Sequence, residues 1–440
     1  MSEQRVISLP AAILININIM LGAGIFLNTV KLAGPAGALG ALGYLLVGIL
    51  MLPLVFSIAK LTGMHPDGGF YAFGKHEIST FAGFVSAWSY FIGKLASGAL
   101  MIHFSLALAQ ELIPLLQHVH LLVLDAFVII IFVLLNMLNL KAGSKIQAAF
   151  TVLKLIPISF AIFVGLFLFD GGNLAPQYQL WSGLPDVLPF LFYATMGFEA
   201  ACLLCGKIKN PKKNAPRAIL FSYAIALTIA ALYQLFFYGA VGPILSKYAP
   251  LDAGYLYAFP ALLAKLLPNT PLLAGKLRGI LHLALASSAL GGAYGIMFSN
   301  TWNLHTLAKN GHLIFKNLFT KLNKYSIPIF CVLIKSLIYA AYLLVSGGLQ
   351  DALQVLSSFG VVLAYTISVV ALLTAKIKRP NIPVPIALPA LGLASCSIFI
   401  ATSLKNLMQK GFYSLLLFLI LLGLGVLMFL VTQKKGRTCS

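Results

Sequence analysis

Asn16-Ile17-Asn18-Ile19-Met20-Leu21-Gly22-Ala23-Gly24-Ile25-Phe26 lies in the middle of an apolar run from Leu9 to Val30. A run of that length crosses a bilayer as a helix. Gly22 and Gly24, around the small Ala23, invite the helix to break halfway across. A break leaves backbone N–H and C=O groups unpaired, which hydrocarbon tolerates only where the break is buried in protein or lines a cavity. A ligand bearing a carboxylate and an ammonium group satisfies both sets. The carboxylate takes the N–H groups that start one half-helix, and the ammonium takes the carbonyls that end the other. The stretch is read as half of a binding site, with a second interrupted helix supplying the rest. Glycines that merely let helices pack closely are the alternative.

Hydrophobic residues make up 60% of the 440 positions and charged residues 9%, with a mean hydropathy of +0.96. Soluble globular chains carry charge at roughly a quarter of their residues, so the composition specifies a polytopic helical membrane protein. The long continuous runs exclude a β-barrel, whose strands alternate. No cleaved signal peptide is expected, because only Arg5 and no small-residue cleavage site precede the first long run.

Apolar runs predict twelve spans near 9–30, 37–60, 81–112, 121–140, 146–169, 186–206, 217–242, 279–306, 328–346, 351–375, 384–402 and 411–432. An even count returns both termini to the cytoplasm, where Lys434, Lys435 and Arg437 agree. With that orientation Lys31, Lys247, Lys265, Lys276, Arg278, Lys405 and Lys410 fall outside, and Lys94, Lys154 and Lys335 within spans. The remaining Lys and Arg are cytoplasmic. This positive-inside bias accounts for the net charge of +20 without a nucleic-acid partner. The 243–278 loop, with Pro250, Pro260 and Pro268, is expected to hold short surface helices. In the cationic turn Lys207–Arg217, Asn214 is read as the cap of the next helix and Pro216 as part of its first turn.

Segment 6 carries a second interruption, Tyr193-Ala194-Thr195-Met196-Gly197-Phe198-Glu199, five segments after the first. Paired breaks at matching positions are the signature of a transporter built from inverted repeats. Five is odd, so the second copy enters from the opposite side. The expected division is 1–170 for segments 1–5, 171–380 for segments 6–10, and 381–440 for two peripheral segments and a short tail. Cys202, Cys205, Cys331, Cys396 and Cys439 form no disulfide framework, and the Cys202/Cys205 pair is read as small packing residues. His103, His282 and His305 are scattered, with no metal-ligand spacing. No nucleotide-binding glycine loop or nucleophile–base pairing occurs, so neither an ATP-driven pump nor an enzyme is expected, and no cofactor or metal.

These motifs resemble the amino acid–polyamine–organocation superfamily of secondary transporters. The resemblance rests on Gly22-Ala23-Gly24-Ile25-Phe26, Pro66-Asp67-Gly68-Gly69-Phe70-Tyr71, Gly197-Phe198-Glu199 with Lys209–Arg217, Lys309-Asn310-Gly311 and Tyr325-Ser326-Ile327-Pro328. They cover roughly three quarters of the chain in the family's order. The family implies a twelve-helix, five-plus-five inverted-repeat fold with alternating access. It implies that the substrate carboxylate sits on the N–H groups of Gly22, Ala23 and Gly24. The ammonium then meets carbonyls of Met20 and of segment 6 from Tyr193 and Ala194 to Met196 and Gly197. Tyr193 matches an aromatic that closes over the substrate.

Three charged residues fall inside spans that the repeat makes central. Glu199 is the acid read as lying deep in a span, either a proton sensor or an anchor between helices. Lys154 resembles the lysine that replaces sodium in sodium-independent members, tethering segments 1 and 8; snorkelling is the alternative. Lys94 stands where related arginine exchangers place a neutral polar residue, and Ile296 where they stack an aromatic. An alkyl side chain offers no cation–π face, and a pocket-facing Lys94 repels a cationic substrate. Pairing with Glu199 or facing a water-filled vestibule is the other reading of Lys94.

The expectation is therefore a sodium-independent amino-acid transporter, a proton-coupled symporter or an exchanger, monomeric or homodimeric, preferring neutral or acidic substrates. A basic amino acid or polyamine is the alternative cargo, and a non-transporting nutrient sensor or a channel the alternative class. The short termini favour a bacterial inner membrane.

Overall fold

The computed structural model describes residues 5–66, 69–138, 140–175, 182–251 and 253–438. Asp67, Gly68 and Cys439 lie outside these residues, and the side chains of Lys434, Lys435 and Arg437 are likewise outside the description. The helices are α1 (Leu9–Met20), α2 (Ala23–Lys31), α3 (Gly40–Met64), α4 (Gly69–Glu77), α5 (Thr80–Leu112), α6 (Pro114–Gln117), α7 (Leu121–Asn136), α8 (Leu140–Phe167) and α9 (Leu184–Thr195). They continue with α10 (Ala200–Leu203), α11 (Pro211–Val241), α12 (Ala258–Leu266), α13 (Pro271–Lys309), α14 (Lys316–Thr320), α15 (Ile329–Ser346), α16 (Gln350–Lys378), α17 (Ala387–Lys410) and α18 (Phe412–Thr438). Among the described residues no strand forms; a single parallel bridge joins Ile7 to Ile208.

Among the described residues ten helical stretches are long and apolar enough to cross a membrane, counting α1 with α2 as one. Two expected segments are shorter. α7 has 16 residues, about 24 Å at the usual rise, and segment 6 is split into α9 and α10. The order of elements otherwise follows the apolar runs.

α5, α13 and α16 are buried over most of their length, whereas α18 is mostly exposed. A helix that is apolar all round is a core or lipid-facing element, never an amphipathic surface one. The exposed leucines and isoleucines of α18, such as Leu419, Ile420 and Leu427, and Phe127, Ile130 and Leu134 of α7, form apolar outer faces. Both α13 and α16 pack along α5. Where α5 crosses α16, a Cβ at Gly93 would lie 2.6 Å from Gly360 Cα, and one at Gly360 2.5 Å from Gly93 Cα. Small residues let membrane helices approach this closely.

One local expectation is corrected. The helix after the cationic turn starts at Pro211, with Asn210 preceding it in the left-handed region at φ 49°, so Asn214 and Pro216 lie inside it. Pro211 at the first helical position has φ already fixed and loses no bond there. Asn214 instead donates from Nδ2 to the Lys209 carbonyl at 2.6 Å. The 243–278 loop forms the expected short helices, Gly242–Tyr248, Gly254–Tyr257 and α12, which lie on the surface with Tyr255, Phe259, Leu262 and Leu263 buried beneath them. The Pro-punctuated apolar residues there cover the bundle rather than float over it.

Replacing Gly360 by valine is expected to push α16 off α5 and lower stability by about 1–3 kcal/mol. Thermal unfolding of the purified protein in detergent reads this, and an unchanged midpoint would contradict the close crossing.

Candidate substrate site at two broken helices

α1 stops at Met20, and the Leu21 N–H closes it on the Ile17 carbonyl at 2.9 Å. Gly22 is extended (φ −85°, ψ −150°) and precedes α2, which restarts at Ala23. The first N–H groups of a helix have no partner within it, so Ala23 and Gly24 head a new positive helix end. α9 stops at Thr195, Met196 is extended (φ −81°, ψ 157°), and Gly197 takes φ +123°, a conformation that favours glycine.

The two breaks touch. A Cβ at Gly197 would lie 2.9 Å from both Met20 Cγ and Met20 N. A Cβ at Gly24 would lie 2.8 Å from the Tyr193 ring and 3.2 Å from Ala194 Cα. One at Gly22 would strike Met101 Cε at 2.2 Å. Met101 also lies against Gly292 of α13. Met20, Gly22, Ala23, Gly24, Tyr193, Ala194, Met196 and Gly197 are all buried, and the contacts bring the two interruptions into one neighbourhood. Ile296 is buried on α13 one turn beyond Gly292, hence on the same face. The Tyr193 hydroxyl lies 2.8 Å from Ser97 Oγ on α5.

Asn16 stitches the breaks together. Its Nδ2 donates to the Phe198 carbonyl at 2.6 Å and to Ser222 Oγ at 2.9 Å. Its Oδ1 accepts from the Ala201 N–H at 2.9 Å. One buried amide thus satisfies a carbonyl at the second interruption and an N–H at the start of α10. Buried polar groups without such partners cost about 1–3 kcal/mol each.

Glu199 lies fully buried beside the second break. Its Oε1 accepts from the Tyr90 hydroxyl at 2.9 Å and lies 3.1 Å from Lys94 Nζ, and its Oε2 accepts from the Gly197 N–H at 2.7 Å. The pairing reading of Lys94 therefore matches the geometry. Lys154 is also fully buried and donates to the Asn18 carbonyl at the end of α1. The Asn18 side chain donates to the Gly291 carbonyl of α13 at 2.9 Å. The tether from Lys154 to α13 thus runs through Asn18.

Glu199 is not the only acid deep in the fold. Asp125 on α7 is 1% exposed and sits 2.7 Å from His103 Nδ1. Its place near a segment end disguised it. Lys335 is buried too, and donates to the Met297 carbonyl and Thr301 Oγ1 of α13. At the far end of α2, Lys31 pairs with Asp351 in the first turn of α16. Among the described residues no cluster of His, Cys, Asp or Glu has a metal-binding arrangement, and Cys202, Cys205, Cys331 and Cys396 are buried and form no disulfide. Asn16, Tyr90, Ser97 and Met101 were not foreseen as site residues. Two asparagines at Asn16 and Asn18 inside an apolar helix were the available signal.

The family profile described as amino acid permease matches residues 7–433. The chain belongs to the amino acid permease family. This permease is 23% identical over 413 residues to uncharacterized transporters of Mycobacterium bovis and Mycobacterium tuberculosis, covering 90% of this chain and 85% of each relative. It is 25% identical over 252 residues to the glutamate/serine transporter AimA of Bacillus subtilis, covering 52% of this chain and 46% of that one. Family and relatives indicate a transporter rather than an enzyme.

Changing Glu199 to Gln alone strands the Lys94 cation and is expected to destabilise the permease by about 3–5 kcal/mol. The double variant Glu199→Gln with Lys94→Met should regain much of that loss. Thermal unfolding of both variants checks this; strictly additive losses would mean the two side chains are not coupled.

Proposed function

We propose that the permease is a sodium-independent secondary amino-acid transporter whose substrate binds between the two breaks. The observation that carries the reading is the contact of Met20 with Gly197 and of Gly24 with Tyr193 and Ala194. It sets one helix start beside one helix end, the complement of a zwitterion's carboxylate and ammonium. The N–H groups of Gly22, Ala23 and Gly24 take the carboxylate. Carbonyls of Met20 and of the Tyr193–Gly197 stretch take the ammonium, and Tyr193, held by Ser97, closes over it.

Alternating access then runs on a twelve-span, five-plus-five inverted repeat: 1–170, 171–380 and a peripheral 381–440. Both termini are cytoplasmic in a bacterial inner membrane, and the protein works as a monomer or homodimer. Lys154, donating to the Asn18 carbonyl, stands in for a bound sodium ion, because an ammonium supplies the same charge to the same carbonyl. Lys94 bound to Glu199 fixes α5 against the second break.

The favoured substrates are acidic or neutral. Ile296 offers no aromatic face to a guanidinium, and the relative in Bacillus subtilis is named for glutamate and serine. Coupling is by proton symport or by exchange of one amino acid for another.

Uptake into proteoliposomes in sodium-free buffer tests the reading. Labelled glutamate or serine should enter, driven by an imposed proton gradient or by internal unlabelled amino acid. Which of the two drives it separates symport from exchange; no uptake by folded protein under either drive would refute the transporter reading. Lys154→Met should lower uptake about tenfold or more, equivalent to ~1.4 kcal/mol, without unfolding the protein. Wild-type uptake in that variant would remove Lys154 from the mechanism.

A further inference from the structure

The connection from α13 to α15 is cationic throughout. Between Lys309 and Pro328 the chain holds four lysines and no Asp or Glu, and no acid occurs from 253 to 350. Lys316, Lys321 and Lys324 are exposed. Each adjoins an exposed apolar or aromatic neighbour: Phe315 at 64%, Leu322 at 42% and Tyr325 at 40%. The Lys324 ammonium lies 5.1 Å from the centre of the Tyr325 ring. Ile314 and Leu318 extend the same exposed run.

A braced loop displays these side chains. Leu313 and Ile327 are buried at its two ends, and His312 Nε2 lies 2.6 Å from the Tyr71 hydroxyl of α4. Asn323 holds the turn between them. Its Oδ1 accepts from the N–H groups of Tyr325 and Ile327, both at 2.9 Å, and its Nδ2 donates to the Met137 carbonyl at 2.9 Å. The exposure of Phe315 and its neighbours is therefore built into the fold.

Lysines that only set topology need solvent and no apolar company. A water-facing surface rarely shows a contiguous apolar patch. A segment lying in the bilayer interface uses both: apolar side chains enter the acyl boundary while lysines reach back to the phosphates. The chain leads straight from this loop into such surroundings. α15 begins at Ile329, and Phe330, Leu333 and Leu337 form an exposed apolar stripe along it at helical spacing.

We propose that the 314–325 segment, which contains α14, is a binding surface for anionic phospholipid headgroups. Lipid phosphates lie among Lys316, Lys321 and Lys324, with Phe315, Leu318 and Leu322 set into the acyl boundary. The bound lipid pins the link between α13 and α15 at the membrane surface, whichever amino acid the breaks carry.

The test uses the full-length permease. In nanodiscs, adding phosphatidylglycerol to phosphatidylcholine should slow amine acylation of Lys316, Lys321 and Lys324 more than that of Lys276. Lys276 is exposed in the first turns of α13, at the other end of the bundle. Peptide mass spectrometry reads this on the wild-type protein, which needs no variant to fold. In detergent, native mass spectrometry should show phosphatidylglycerol bound in preference to phosphatidylcholine. Each lysine near an anionic surface strengthens binding about fivefold, so Lys316→Gln/Lys321→Gln/Lys324→Gln should bind it at least about tenfold more weakly. Lys247→Gln/Lys276→Gln/Lys410→Gln, with the same net charge, should keep wild-type affinity. Phe315→Ser/Leu322→Ser, which leaves every lysine in place, should also weaken binding. Wild-type affinity in that variant would make the patch a site for a soluble acidic partner and overturn the membrane reading. Equal acylation in both nanodiscs, or equal losses in the two lysine variants, overturns the proposal outright.

Discussion

A helix interrupted inside an apolar medium must find partners for its freed backbone groups, and the rest of this permease follows from that demand. The interruption at Gly22 is covered by the interruption at Gly197, with Met20 against one and Tyr193 against the other. Asn16 supplies the bonds that the second break gives up, to the Phe198 carbonyl and from the Ala201 N–H. Neither broken helix is sustainable in lipid alone. Together, inside a jacket of α3, α5, α8, α11, α13 and α16, they make a polar seam whose ends are helix termini of opposite sign.

Charges in the interior obey the same accounting. Lys94 and Glu199 neutralise each other beside the second break, with Tyr90 and the Gly197 N–H completing the carboxylate's partners. Lys154 and Lys335 take carbonyls instead, at Asn18 and Met297. Lys154 on α8 thus holds α1 near its last turn, and Lys335 on α15 holds α13, the helix that carries Gly292 and Ile296. His103 and Asp125 make a separate pair between α5 and α7. Buried ions are sustained only with such partners, so each of these residues fixes one helix against another wherever else it acts.

Most of the fold was legible because apolar length and Gly-bearing interruptions are local signals. Gly22–Gly24 and Gly197 were visible as breaks, and Lys94, Lys154 and Glu199 as charges inside spans. Asn16 was quoted in the deciding stretch and still missed as a site residue, because its partners Phe198, Ala201 and Ser222 lie far along the chain. Met101 and Ser97 looked like ordinary residues of a packed helix; only the crossing of α5 makes them neighbours of Gly22 and Tyr193. The start of α11 was misplaced because Pro216 and Asn214 carry the same local signals as Pro211 and Asn210. Asp125 was overlooked because its partner His103 comes from another helix.

The claim on which the account turns is that backbone groups at the two breaks hold the α-carboxylate and α-ammonium of an amino acid. Equilibrium binding of the best substrate to purified permease, in competition with its methyl ester and its N-acetyl derivative, measures this directly. Each derivative removes one set of charge-assisted bonds, roughly 1.5–3 kcal/mol, so each should compete about 10- to 150-fold more weakly. Derivatives that compete as well as the parent amino acid would place the substrate elsewhere in the molecule.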